Sequence, residues 1–358
     1  MSRPAIAHIR LDAFRHNYRV AKQCYGGKAL AVVKANAYGH GAVHCAKSIE
    51  GEADGFAVAC LEEALQLREA GISEPILLLE GFFEVAELTE IVANDLWIVV
   101  HAQWQLEIFL QAKLAKPLQV WLKMDSDMHR VGLSPTEYVQ AYKRLKGHKN
   151  IEKMVLMTHF ANADNLKSDH TLQQIEIFKN TIQGLNAETS LANSAAILGW
   201  KQASCDWTRP GIMLYGSNPL MIVDTKLKPV MQLTSQIISI RNIKKGESIG
   251  YGSIFTAERD TIVGVVACGY ADGYPRSAVT GTPMAVDDKM TRLIGRVSMD
   301  MLFVDLTDIS SVTIGSHVEL WGNAVSANDV ATSAGTIAYE LFCNVKRAHF
   351  QYFDPSNI

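Results

Sequence analysis

ALAVVKANAYGHG, residues 29–41, is the stretch from which the rest of the chain is read. Its first five residues, Ala29 to Val33, are apolar with no polar alternation, the pattern of a strand covered on both faces. The run stops at Lys34, and a glycine-containing turn follows directly. An ammonium at the end of a buried strand is costly unless a partner claims it. Two readings stand at this point. Lys34 either snorkels to the surface as the strand leaves the core, or it is a lysine tuned for Schiff-base chemistry. In the second reading Tyr38 and the glycines at 39 and 41 lie beside it, where an anion could be held.

Moving outward, the apolar runs recur at residues 55–59, 75–79, 96–100, 118–124, 154–157 and 189–192, with an eighth around RPGIMLYG at 209–216. Helical spacings separate them, as in Leu61, Ala64 and Leu65, or Leu172, Ile175, Phe178 and Ile182. Asp12 is placed to cap a helix that runs to about Tyr25. Ser134-Pro135-Thr136-Glu137 has the form of a capping box with proline at the first helical position. Eight such alternations predict a parallel (β/α)8 TIM-like barrel. A doubly wound open sheet is the alternative, but Gly39-x-Gly41-x-x-His44 lacks the third glycine of a dinucleotide fingerprint. After about Lys228 the texture changes. Short β-like runs at 236–240, 261–267, 284–286, 301–306 and 317–321 alternate with turn residues, interrupted by one helical stretch at 328–343. The expected organisation is a barrel over residues 1–228 followed by a mostly β C-terminal domain over 229–358.

Composition narrows the function classes. A net charge of −3, with 48% hydrophobic and 20% charged residues, offers no electrostatic case for nucleic acid or an anionic membrane. No stretch approaches the roughly 20 apolar residues of a membrane helix, and the start MSRPAIAHIRLD does not read as a signal peptide. The six cysteines form no C-x-x-C pair, which argues against both a zinc site and a disulfide framework. A soluble, cytoplasmic protein with reduced thiols is expected.

In a barrel of this kind reactive groups sit at the C-terminal ends of the strands. Lys34, Lys123, Arg130, His159, Ser194 and Arg209 all fall there. Each has an ordinary explanation when taken singly: a snorkelling lysine, a surface ion pair, a core imidazole, a helix cap. Together they make a cationic, hydrogen-bonding crown suited to an anionic ligand. Ser194 and the amides of Gly211 and Ile212 could cradle a phosphate without a full P-loop. No metal is expected, because His159 is the single strand-end imidazole of the barrel. No G-x-S-x-G elbow supports a serine hydrolase.

AVVKANAYGHG resembles the cofactor-lysine segment of the alanine racemases, fold-type III enzymes that use pyridoxal 5′-phosphate. The resemblance continues through MHRVG at 128–132, THFANAD at 158–164, ANSAA at 192–196, RPGIMLYG, GYG at 250–252, GYADGYPR from Gly269, GRVSMD at 295–300 and TIAYEL at 336–341. These motifs span essentially the whole chain in family order. The family architecture, a (β/α)8 barrel followed by a β domain, agrees with the reading made from the pattern.

The resemblance implies an isomerase that interconverts L-alanine and D-alanine. Lys34 matches the lysine that holds the cofactor and serves as base on one face of the substrate. Tyr251 matches the tyrosine that works on the opposite face from a partner subunit, so a homodimer with shared sites is implied. Racemisation needs two such groups flanking a planar carbon. Tyr38, Ser194, Gly211, Ile212 and Tyr339 match phosphate-binding positions, and Arg209 matches the partner of the pyridine nitrogen. Arg130 and the Met299 amide match groups that hold the substrate carboxylate. His159 stands behind the tyrosine, and Lys123 matches a lysine that some members carry as a carbamate. Tyr270 matches a tyrosine at the mouth of the site, and Asp300 follows Met299 in a supporting place. Two departures are visible: Ser298 where many members have cysteine, and Ser190 where some have histidine. D-Alanine so formed supplies a cell wall, or is the substrate of the reverse, catabolic direction. A serine racemase would use the same bases. A fold-type III decarboxylase would place a carboxylate where this chain has Arg209. A non-catalytic pyridoxal-phosphate carrier would lack the β domain.

Overall fold

The computed structural model describes residues 3–220 and 226–354. Seven parallel strands lie side by side in chain order: Ala31–Val32, Phe56–Val58, Ile76–Leu78, Leu96–Val100, Leu118–Lys123, Ile151–Met157 and Glu188–Ser190. Most of their residues are buried, as a sheet wrapped by helices requires. Trp207–Thr208 completes the ring. It pairs in parallel with Lys28–Ala29, and the amides of Leu30 and Val32 extend that pairing to the carbonyls of Thr208 and Pro210. On its other side Arg209 bridges to Asn193 and donates its amide to the Ala192 carbonyl. The curled sheet therefore closes as the eightfold alternation predicted.

Two local expectations are corrected. The eighth apolar run is not itself the strand. The strand is Trp207–Thr208, and Ile212–Tyr215 forms a tight 3-10 turn behind it. Pro210, which has no N–H for a ladder, ends the pairing, and the apolar side chains of the turn fill the core. Asp12 does not cap the first helix. That helix spans Leu11–Tyr25 with Arg10 at the cap position. Asp12 sits in the first turn, where the helix dipole favours a carboxylate, and accepts two hydrogen bonds from Arg10 at 3.1 and 2.8 Å. The capping box at Ser134 is present as read: its hydroxyl accepts from the Glu137 amide, and the Glu137 carboxylate accepts from the Ser134 amide at 3.0 Å.

The second sheet has eight strands. Their spatial order is Thr261–Val266, Leu302–Asp305, Lys289–Ile294, Pro283–Val286, His317–Trp321, Met231–Ile243, Ile6–Arg10 and His349–Phe353. Thr261–Val266 also pairs with Met231–Ile243, so the sheet curls back on itself. Ile6–Arg10, which the sequence division put with the barrel, lies in this sheet, antiparallel to Met231–Ile243 and parallel to His349–Phe353. The helical stretch at 328–343 is two helices, Ala327–Ser333 and Ala338–Asn344. The second reaches over the barrel and brings Tyr339 and Cys343 to its mouth.

Candidate active site

The turn after the first barrel strand has an uncommon backbone. Ala35, Asn36, Ala37 and Tyr38 all adopt positive φ, at 51, 53, 53 and 49°. Four consecutive non-glycine residues in the left-handed region cost on the order of 1 kcal/mol each, so the surroundings must hold them. The Ala35 amide donates to Oε1 of Glu63 at 2.6 Å, and the Ala42 amide donates to Oδ1 of Asn36 at 2.9 Å. Backbone bonds from Ala37 to Val33, Gly39 to Ala35 and Gly41 to Asn36 complete the turn. Gly39 has to be glycine: φ is +78°, and a Cβ there would stand 2.2 Å from the Phe342 carbonyl oxygen. The turn leaves Lys34 and Tyr38 lining the same cavity.

That cavity, of about 690 Å³, opens at the C-terminal ends of the strands. Lys34, Tyr38, Lys123, Arg130, His159, Ser194, Arg209, Gly211, Ile212 and Tyr339 all contribute to its wall. The crown read from strand ends is therefore one site. Arg209 forms its buried floor, donating to the Thr158 carbonyl at 2.7 Å and to the Ser190 hydroxyl. Ser190 in turn donates to the Trp207 carbonyl at 2.8 Å, so this short side chain anchors the guanidinium. Arg209 also lies 3.3 Å from Nδ1 of His159. Arginine only donates, so Nδ1 accepts and the proton of a neutral ring resides on Nε2. Burial, then Arg209, Lys123 and Arg130, hold the His159 pKa well below its ordinary value, consistent with that neutral form. Burial and the charges of Arg209, Arg130 and Lys34 bring Lys123 down to about 7. Arg130 is aimed by a turn in which Asp125 accepts the amides of Asp127, Met128 and His129 at 3.1, 2.9 and 3.1 Å.

The cavity also has the parts of an anion cradle. The helix Ser194–Gly199 is capped by Asn193, whose side chain accepts from the Ala196 amide at 3.0 Å. Ser194 is thereby released from capping. Its hydroxyl accepts the amides of Gly211 and Met213 at 2.8 and 3.3 Å, which leaves its own proton to donate into the cavity. A Cβ on Gly211 would come within 2.7 Å of the Tyr38 hydroxyl, so glycine admits the phenol here. The ring of Tyr38 lies 5.6 Å from that of Tyr339 and 4.8 Å from that of Tyr215. Burial raises the pKa of Tyr38, and raises that of Tyr339 to about 12, so both hydroxyls stay protonated donors. Hydroxyl and amide donors at one end and cations at the other fit a phosphorylated, planar cofactor such as pyridoxal 5′-phosphate.

The remaining residues marked by the sequence lie elsewhere in this single chain. Tyr251, Met299 and Tyr270 are 70%, 53% and 38% exposed on the β domain, outside the cavity. Met299 and Tyr270 are held side by side. The Tyr270 and Ala271 amides donate to the Ser298 and Met299 carbonyls, both at 3.0 Å. Gly250, next to Tyr251, approaches Phe303 closely enough that a Cβ would stand 3.0 Å from its ring. A buried carboxylate braces Tyr270 and Met299 from behind. Asp272 accepts from Arg3 at 3.2 and 2.6 Å, from Arg347 at 2.9 Å and from the Gly269 amide at 2.9 Å. Asp300 is gripped by the same arginines, through its carbonyl by Arg3 and through its carboxylate by Arg347. Sequence reading missed this clamp, and also Glu63, His40, His101, Glu80 and Phe83. The last three line the cavity. Glu63 carried only the pattern of a helix-start carboxylate, and no spacing marked the others.

Residues 9–219 match the model of the alanine racemase N-terminal domain, and residues 230–352 match that of the alanine racemase C-terminal domain. A catabolic alanine racemase of Pseudomonas putida is 58% identical over 353 residues, covering 98% of this chain and 99% of its own. The crystal structure of the biosynthetic alanine racemase from Pseudomonas aeruginosa superposes with a TM-score of 0.96 at 47% identity, covering 98% of this chain and 100% of that one. The structure of alanine racemase from Bartonella henselae with covalently bound pyridoxal phosphate gives a TM-score of 0.90 at 30% identity, over 98% and 99% of the two chains. With both domains matched in order and a strand-end lysine in a cationic cavity, the chain belongs to the alanine racemase family of isomerases.

Proposed function

We propose that the chain interconverts L- and D-alanine with pyridoxal 5′-phosphate, using Lys34 on one face of the substrate and the partner subunit's Tyr251 on the other. One observation supports this reading above the rest. The barrel residues named for the site converge on one cavity, while Tyr251 stands exposed on the β domain, where a second copy of the chain can receive it. Met299 and Tyr270 lie on the same domain and would arrive with it.

The cofactor, when bound, supplies an aldehyde for amine capture and a ring that withdraws electrons from the substrate Cα–H. The residues of the chain supply everything else. Lys34 takes or returns the Cα proton on one side, and the Tyr251 phenol does so on the other; retention would follow if one base did both. The cavity that Tyr251 would enter is lined by Arg209, Arg130, Lys123 and His159. Arg209 would hold the ring nitrogen of a bound cofactor as a hydrogen-bond donor that cannot readily give up its proton, which would leave that nitrogen unprotonated and temper the electron withdrawal available to side reactions. Ser194, Tyr38, Tyr339 and the Ile212 amide hold the phosphate; the Gly211 amide, expected from the sequence to join them, is spent on the Ser194 hydroxyl and holds that side chain in place instead. Arg130 and the Met299 amide hold the substrate carboxylate, Asp300 supports that loop, and Tyr270 narrows the mouth to small side chains. Lys123, poised near pKa 7, is neutral in a substantial fraction at physiological pH. A neutral amine is the form that takes up carbon dioxide, so the carbamate implied by the family would form here and orient Arg130.

Circular dichroism of the purified protein with added pyridoxal 5′-phosphate tests the reading, first with L-alanine and then with D-alanine. The optical signal of both enantiomers should decay to zero without release of keto acid. Failure to convert either one overturns it.

A further inference from the structure

We propose that His40 is a positioning residue: its imidazole locks the end of the left-handed turn that carries Tyr38 into the cavity. His40 is fully buried and belongs to neither the cavity wall nor the proton-transfer pair. Its Nδ1 lies 2.9 Å from the Tyr38 carbonyl and 3.1 Å from the Ala37 carbonyl. Both are acceptors, so Nδ1 carries the proton and is shared between them. Nε2 is then a bare acceptor, and it has no hydrogen-bond partner among the described residues. The ring sits among aromatic neighbours, 4.6 Å from Tyr215 and 5.0 Å from Phe342.

An acceptor buried without a donor is unfavourable, and leucine or phenylalanine would fill this place without leaving one. What the imidazole adds is a donor to the last two carbonyls of a strained turn. Ala37 and Tyr38 are held at φ 53 and 49°, and a bond to each carbonyl opposes relaxation of the peptide planes. Tyr215 forms a common wall, since its ring also faces Tyr38 at 4.8 Å. Burial lowers the His40 pKa to about 4, which keeps this donor and acceptor pattern fixed at working pH.

The inference rests on the reading of Tyr38 as a phosphate ligand, and its test separates the two. The dissociation constant for pyridoxal 5′-phosphate is measured by absorbance titration of cofactor-stripped wild type, His40→Leu, His40→Asn, Tyr38→Phe and the Tyr38→Phe/His40→Leu double variant. His40→Leu should weaken binding about tenfold, the worth of one good buried hydrogen bond. His40→Asn, whose amide nitrogen can reach the place of Nδ1, should recover most of that loss. In the double variant His40→Leu should add little to Tyr38→Phe, because both act through one hydroxyl. Equal loss in His40→Asn and His40→Leu, or full additivity, overturns the proposal. ¹⁵N shifts of His40 in the stripped wild type decide it independently of cofactor and of variant folding. An Nδ1–H ring is expected, and an Nε2–H ring overturns the lock. A wild type that binds no pyridoxal phosphate would count against the proposed function instead, while the ¹⁵N result still reads the lock.

Discussion

The barrel mouth and the exposed face of the β domain, which the proposed two-base reaction would bring together, are built in opposite ways. At the mouth, Arg209 and Ser194 are buried and His159 is half-buried, all three hydrogen-bonded to named partners and surrounded by positive charge. On the β face, Tyr251, Met299 and Tyr270 are exposed, and order is imposed from behind by Asp272 and its two arginines. The first is a cavity organised within one chain. The second is an open surface. Under the proposed reaction the cradle for a cofactor is built in one chain, and the proton donor for the far side of a planar substrate is supplied from outside the barrel that holds the near side. On that proposal one chain is well folded and still holds only half of a site.

The largest expected effect comes from removing the base at each half. Lys34→Ala should abolish conversion in both directions, by at least a hundredfold on the ordinary worth of acid–base catalysis. Tyr251→Phe should lose Cα proton exchange preferentially from one enantiomer, read by deuterium incorporation from heavy water. Equal loss from both would remove the division of labour. Mixing the two variants should restore activity in heterodimers that hold one intact site, and inactivity after confirmed subunit exchange would break the comparison outright.

The clamp behind the β face gives a smaller effect. Asp272→Asn leaves Arg3 and Arg347 without their shared carboxylate, and should cost about 2–4 kcal/mol in urea unfolding at pH 7, less than a fully buried pair because both arginines are partly exposed. Burial pushes the Asp272 carboxyl up, but Arg3 and Arg347 outweigh it and hold its pKa below the usual 3.8. The contribution is therefore full above that value and disappears as the pH falls through the lower, folded-state pKa. The difference between wild type and variant should shrink in acid. A difference unchanged at pH 2 would contradict the ion-pair account.

The smallest effect sharpens the barrel side. Lys123 is held at about 7 against an ordinary 10.5, so the unfolded chain binds more protons between those values and stability should rise with pH across that window. The contribution of this group is complete above 10.5 and is lost as the pH falls through 7. In cofactor-stripped protein free of carbon dioxide, Lys123→Met should flatten that slope by about 1–3 kcal/mol. An unchanged slope would mean the amine is not desolvated as its burial implies.

The sequence made the barrel half readable because buried parallel strands betray themselves as unbroken apolar runs, each followed by the polar residue it delivers. It was poorer elsewhere for physical reasons. Lys289–Ile294 went unseen because Lys289, Met290 and Arg292 face solvent, and its hairpin turns through Asp287 and Asp288 without a glycine. The left-handed turn at 35–38 was hidden for the same reason: nothing in Ala-Asn-Ala-Tyr announces positive φ, and its bonds through Glu63, Asn36 and His40 form only in three dimensions. Trp207–Thr208 is too short to show a pattern. Tyr251 between two glycines reads as a turn aromatic by physics alone, and its role came from resemblance. The clamp of Asp272 with Arg3 and Arg347 joins residues 269 and 75 positions apart, beyond any local signal.

The parallel pairing of Ile6–Arg10 with His349–Phe353 sets an order of assembly. The barrel is spliced into a sheet whose first and last strands are neighbours. Barrel strands pair mostly with the next in line, so the ribosome delivers each partner soon after it is needed. The β sheet has to wait: Ile6–Arg10 emerges first, yet one of its edges stays open until the final strand is released. Long-range closure of this kind is slow and leaves strand edges exposed. A nascent chain would thus close its barrel well before the β sheet is finished, while Tyr339, the part of the cradle carried by the helix Ala338–Asn344, emerges only just ahead of the last strand. The barrel comes early, the last wall of its pocket and the completed β face late.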